Sequence, residues 1–301
     1  MNRQSGMKLV PFEYGFRPFF LVAGLFAALS VTAWLWVYGA GAFPDARMPA
    51  QFWHAHEMFF GFIAAAVAGF LLTAVPSWTG SRGFSGLPLI VLTALWLAGR
   101  IAFSVGDALP FGLLAVLELA FLPGVMLMIA PTLFRSSNRN TRLLLVLFAF
   151  WLMDAAFLYG IATGDIAVSA AALRGALGLV LVLITVIGGR IVPAFTRNAL
   201  SQSGQDAVIR SHSLAEKLVV PAMLGFALAD MLSPTGSVTA AIAVLAAVLQ
   251  AWRLSGWQGL RTASQPIVWI LHVAYLWIPF GLALKAAYLL GEFAWAAYWQ
   301  H

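Results

Sequence analysis

The sequence predicts an all-α polytopic membrane protein of about nine transmembrane helices, and three observations predict it. The 301 residues are 62% hydrophobic and only 9% charged, against ~25% charged in ordinary soluble domains. So few ions could not cover the apolar surface of a soluble fold. Apolar stretches of membrane-spanning length recur along the chain, separated by short connections with turn signals such as TGSRGFSG and RSSNRN. Basic residues, finally, gather in alternate connections.

A span needs ~20 apolar residues. Nine segments qualify: 17–39, 52–76, 86–104, 109–131, 142–163, 170–195, 215–233, 237–254 and 265–290. The leading MNRQSGMKLVPFEYG is followed by an apolar run with no small-residue cleavage site, so the first span is expected to be a retained helix. No soluble domain fits between the spans, and the chain reads as one transmembrane domain, 1–301.

Lys and Arg resist translocation and fix the expected orientation. One side receives Arg3, Lys8, Arg17, Arg82, Arg135, Arg139, Arg142, Arg197, Arg210, Lys217, Arg253 and Arg261, twelve in all. The other side holds Arg47 alone, beside Asp45, Asp107, Asp165 and Glu292. The N-terminus is therefore expected in the cytoplasm and the C-terminus in the periplasm. The net charge of +6 then records topology and contact with the lipid bilayer. Nucleic acid is excluded as a partner, because the basic residues are scattered over separate loops. With no cysteine in the chain, disulfides, thiolate-ligated metals, iron–sulfur clusters and covalent haem attachment are excluded as well.

The second span ends in LLTAVPSWTG and the sixth in GGRIVPAFTRN. A shift of 117 residues superposes Gly61 on Gly178, Val75–Pro76 on Val192–Pro193, Trp78 on Phe195 and Thr79 on Thr196. This suggests a repeated four-helix unit over about 17–131 and 142–254, with an incomplete third unit over 265–301. The second helix of that third unit would begin near His301, where the chain ends. The expectation is an interrupted repeat, either truncated or completed by oligomerisation.

Eight charged side chains fall within or at the ends of spans: Glu57, Glu118, Asp154 and Asp230 against Arg100, Arg174, Arg190 and Lys285. Equal numbers of each sign are what internal pairing requires, since an isolated charge in a span is costly. At ~1.5 Å of rise per residue, Glu57 and Arg174 lie near the outer ends of their helices, with Arg100, Glu118 and Asp154 at mid-depth or above and Asp230 near the outer end of the seventh span. With His54, His56 and His301 they would form a polar centre in the outer half of the bundle. Arg190 and His272 lie toward the cytoplasm. Such residues serve either as helix–helix clamps or as a binding site.

The stretch FWHAHEMFFGF, 52–62, carries the chemistry. His54 and His56 are two residues apart, ~200° around an α-helix, so both cannot face one ligand. Glu57, Gly61, Ala65 and Gly69 form a small-residue stripe, with His54 on its side. A flat haem could lie on that stripe with His as axial ligand, or the stripe could simply pack a neighbouring helix. The HxH pair also suits copper on a loop, but two nitrogens do not define a site. There is no GxSxG, phosphate loop or HExxH.

PFEYGFRPFF, WHAHEMFFGF, GFLLTAVPSWTG, LWLAGR, GGRIVPAFTRN and PIVWILHVAYLWIPFGLALK, in order from residue 11 to the end, resemble the NnrS family. These are bacterial inner-membrane proteins that bind haem and copper and are linked to nitric oxide tolerance and denitrification. The resemblance implies b-type haem, with copper as a second metal, and nitric oxide or another diatomic as ligand. It also implies a distant likeness to the haem–copper oxidase catalytic subunit, with its four-helix arcs. Carried over to this chain, His54 or His56 is the span-2 haem ligand, with His54 preferred for its place on the side of the stripe, and His301 its partner. Arg100 and Arg174 would neutralise the propionates, and Glu57 would orient an imidazole. His272 is then a second-cofactor ligand or an interhelical hydrogen bonder. The alternatives are a membrane transporter, or a copper- or haem-handling factor without catalysis.

Overall fold

Residues 10–41, 47–206, 208–291 and 293–299 are described by the computed structural model. Among them all regular structure is helical, because within a bilayer the backbone must satisfy its own hydrogen bonds. Nine long helices follow one another: α1 (Phe16–Ala40), α2 (Ala50–Thr79), α3 (Leu87–Val105), α4 (Phe111–Arg135), α5 (Leu143–Thr163), α6 (Ile166–Gln202), α7 (Ser213–Leu232), α8 (Ser237–Ser255) and α9 (Pro266–Gly291). Eight are long and apolar enough to cross a membrane. The exception is α7, whose twenty residues include Glu216, Lys217 and Asp230. The ninth expected span thus exists as a helix, one that carries three charged residues.

The chain divides into two compact units, one up to Ala176 and one from Leu177, with the boundary inside α6. In the first, α1 packs on α2, α2 and α3 on α4, and α4 on α5. Phe19 and Ala23 of α1 are buried, whereas Leu25, Leu29, Leu35 and Trp36 are more than half exposed. A helix with so wide an apolar exposed face is suited to lipid rather than water.

Within α2 the hydrogen bonding changes twice. Ala50–His56 is α-helical, Glu57–Ile63 is a π-helix, and Ala64–Thr79 is α-helical again. The sequence reading assumed an uninterrupted 3.6-residue period here. The wider segment is accompanied by a side-chain bond, as the Trp96 indole N–H of α3 donates to the Gly61 carbonyl at 3.0 Å.

The second unit has a core of Val182 and Val192 from α6, Met223 and Phe226 from α7, Ala243 and Ala246 from α8, and Ile278 and Leu282 from α9. Two polar ties cross it. Asp230 pairs with Lys285 at 2.8 Å, and the Lys285 ammonium lies 5.0 Å from the centre of the Trp299 ring. The second tie corrects the placement of Arg253. Counted from sequence among the exposed charges at the end of its span, it is a buried residue in the last turn of α8. Its guanidinium donates to both Glu216 oxygens, at 2.9 and 2.6 Å, to the Thr185 carbonyl at 2.8 Å and to the Tyr275 hydroxyl at 3.2 Å. Tyr275 in turn donates to Gln250 at 2.6 Å, and Gln250 to Thr185 at 2.7 Å. The GGR sequence makes room for this network, since a Cβ at position 189 would overlap the Arg253 guanidinium.

Gly189→Ala is therefore expected to lower detergent-state stability by roughly 1–3 kcal/mol through overpacking. Gly24→Ala, with nothing within 4 Å of the added carbon, is expected to be neutral or slightly stabilising. Paired thermal melts of the two variants check this.

Candidate functional site

The first unit brings five ionisable side chains from four helices into one buried cluster. His56 and Glu57 come from α2, Arg100 from α3, Glu118 from α4 and Asp154 from α5. All five are buried, His56 and Glu57 completely. The Arg100 guanidinium bridges two carboxylates, donating through Nη1 to Glu57 and through Nη2 to Glu118. A planar fork of donors can tie α2, α3 and α4 in this way, where a lysine ammonium offers a single point.

His56 occupies the centre. Its Nδ1 lies 3.1 Å from Glu57 Oε1, and its Nε2 lies 3.0 Å from Asp154 Oδ1 and 3.8 Å from Glu118 Oε1. One ring face stacks on Phe103, with centroids 3.9 Å apart and planes within 6°. Phe60 and Phe157 close the sides, at 5.0 and 4.8 Å between centroids. The wall is aromatic, so the charged groups have one another for solvation. Even so, Glu57 Oε2, Glu118 Oε2 and Arg100 Nε have no hydrogen-bond partner among the described residues. Gly99 leaves space for the Glu118 carboxylate, because a Cβ there would lie 2.9 Å from Oε2.

Of the residues singled out in the sequence, His56, Glu57 and Arg100 meet here. His54 points elsewhere: it is half-buried and stacks on Trp34 of α1, with centroids 4.6 Å apart. The divergence of the two imidazoles expected from helix geometry is observed. Arg174 is partly buried on α6 and has an interaction partner. His272 belongs to the second unit, with Nε2 3.1 Å from Thr196 Oγ1 and Nδ1 3.2 Å from the Val268 carbonyl. Both of its nitrogens have protein partners, as in an interhelical clamp. His301 lies outside the described residues.

The small-residue stripe is not open to a flat ring. Gly61 abuts Phe26, and Gly69 abuts Phe19 and Phe20, all from α1, so the stripe packs helix against helix. His56 has carboxylates at both nitrogens, and Arg100 already bridges two acids. These residues do not fit a haem, its axial bond or its propionates. They do fit a metal ion, since His56, Glu118 and Asp154 each offer a ligand atom and these atoms lie within 4.8 Å of one another.

Glu118 and Asp154 are members of the cluster that the sequence reading included in its polar centre but gave no ligand role. Counting carboxylates against arginines hid the fact that the partner of Asp154 is a histidine. Removing Arg100 would leave the buried Glu57 and Glu118 carboxylates with only the His56 imidazole beside them, a loss on the order of 3–5 kcal/mol. Arg100→Ala is expected to lose most of its folded yield, and Arg100→Lys to keep part of it. Fluorescence-detected size exclusion of the two variants reads this directly.

No curated protein and no solved structure matches the chain. A family model described as NnrS protein matches residues 10–301, which covers every helix and every member of the cluster. The chain belongs to the NnrS family.

Proposed function

We propose that this multi-pass membrane protein acts in the response to nitric oxide, with the cluster around His56 as its working part and the bacterial inner membrane as its location. The observation that carries the reading is the convergence of five ionisable side chains from four helices in a chain of the NnrS family. A buried ionic cluster adds little net stability compared with well-packed apolar residues. Ionisable groups at membrane depth therefore mark function by default. Family resemblance supplies the nitric oxide context.

Haem, which the same resemblance implies, is assigned to His54 rather than His56. Stacking on Trp34 occupies a face of the His54 ring, and the ring nitrogens lie on its edge. Bound haem would supply a seat for nitric oxide or for an electron. A single copper ion shared by both imidazoles loses its geometric support, because the two rings stack on Trp34 and on Phe103 respectively.

The test is complementation of a strain lacking the protein, scored by survival and by nitric oxide consumption. Wild type is expected to restore both. Glu118→Gln and Asp154→Asn, at equal membrane abundance, are expected not to. Full restoration by both variants would remove the cluster from the function. On purified protein, any Soret absorbance is expected to be lost in His54→Ala and retained in His56→Gln; the opposite pattern would return the haem to His56.

A further inference from the structure

We propose that His56, Glu118 and Asp154 bind one divalent first-row transition cation, with one nitrogen and two carboxylate oxygens as ligands, in a centre separate from any haem. The inference rests on the functional reading above and names the ligand of that same site. Four features of the cluster lead to it.

The first is charge. Three carboxylates face one guanidinium and one imidazole. With a protonated imidazole the group still carries an excess negative charge in an aromatic enclosure. With a neutral imidazole and a dication, the two positive charges of the metal and the one of Arg100 balance three carboxylates. A buried cluster is favoured when its charges compensate one another.

The second is spacing. His56 Nε2 lies 3.0 Å from Asp154 Oδ1 and 3.8 Å from Glu118 Oε1. Ligands held at ~2.0–2.2 Å from a central ion are separated by distances of this order. The third is the outer layer. A ligating histidine ordinarily donates its second N–H to a carboxylate, which fixes the tautomer and the ring orientation. Here His56 Nδ1 faces Glu57 Oε1 at 3.1 Å, Glu57 is held by Arg100, and Phe103 fixes the ring plane. The fourth is incomplete satisfaction: Glu57 Oε2 and Glu118 Oε2 are buried acceptors with no hydrogen-bond partner among the described residues.

The donor set selects the class of ion. One imidazole with two carboxylates and no sulfur donor suits Fe2+, Mn2+, Zn2+ or Co2+ and disfavours Cu+. Three protein ligands leave coordination positions for a small exogenous molecule.

Co2+ is the probe, because its visible ligand-field bands report the ligands directly. The full chain, purified in detergent and stripped with EDTA, is titrated with Co2+ and compared with His56→Gln, Asp154→Asn, Glu57→Gln and His272→Gln. Wild type and His272→Gln are expected to bind one equivalent with visible bands. His56→Gln and Asp154→Asn are expected to lose that equivalent. Glu57→Gln, which changes only the outer layer, is expected to bind ~10–100-fold more weakly. Helical content by circular dichroism and the melting temperature identify any variant that has failed to fold, and Glu57→Gln, the mildest change, then carries the test. Folded wild type that binds no Co2+, or that binds it no better than His56→Gln and Glu57→Gln, overturns the inference. The survival assay is independent of this titration, so a protein that needs Glu118 for nitric oxide tolerance yet binds no Co2+ would overturn the metal site alone.

Discussion

The first unit depends on one guanidinium. Arg100 joins Glu57 of α2 to Glu118 of α4 from its own place on α3, and His56 extends the link to Asp154 of α5. Four helices are thereby registered against one another by charge rather than by apolar packing alone. Where lipid surrounds the protein, no hydrophobic force distinguishes a helix neighbour from an acyl chain, so polar contacts and close packing set helix association. Local features of the first unit follow from accommodating this one bridge. Gly99 is bare where the Glu118 carboxylate lies, and Gly61 is bare where Phe26 and the Arg100 guanidinium approach.

The second unit solves the same problem with different chemistry. Arg253 takes a bidentate carboxylate, a carbonyl and a phenol, so its charge is matched by one acid. The Asp230–Lys285 pair is likewise one acid to one base. Neither tie carries the surplus of acid found around His56. All three sets of residues are buried, and they differ in how far acid and base balance.

Much of this was legible in the sequence. Composition and span length gave the helical membrane class, and the rarity of ions within spans identified Arg100, Glu118, Asp154, Asp230 and Lys285 as residues needing partners. The two-residue spacing of His54 and His56 showed that they could not cooperate. Hidden were the pairings, because one-dimensional depth places residues at a level without saying which face each helix turns inward. The preference for His54 rested on the small-residue stripe, and that stripe is filled by α1 phenylalanines. The burial of Arg253 was missed because an arginine in the last turn of a span resembles an exposed interfacial cation. The Gly188–Gly189 pair two turns before the end of the apolar run in α6 was the available signal that a large group passes there.

The π-helical turn at Glu57–Ile63 has a consequence for how this centre is aimed. A single residue added to an α-helix rotates everything beyond it by ~100°, and a π-turn absorbs such a residue without breaking the rod. The segment Ala64–Thr79 can therefore keep Gly69 against α1 while His56 and Glu57 face α3, α4 and α5. The helix acts as a shaft with an offset coupling: its lower part is keyed to one neighbour, and its upper part is turned independently toward the ions. A wholly α-helical version of the same residues would have to choose between the two.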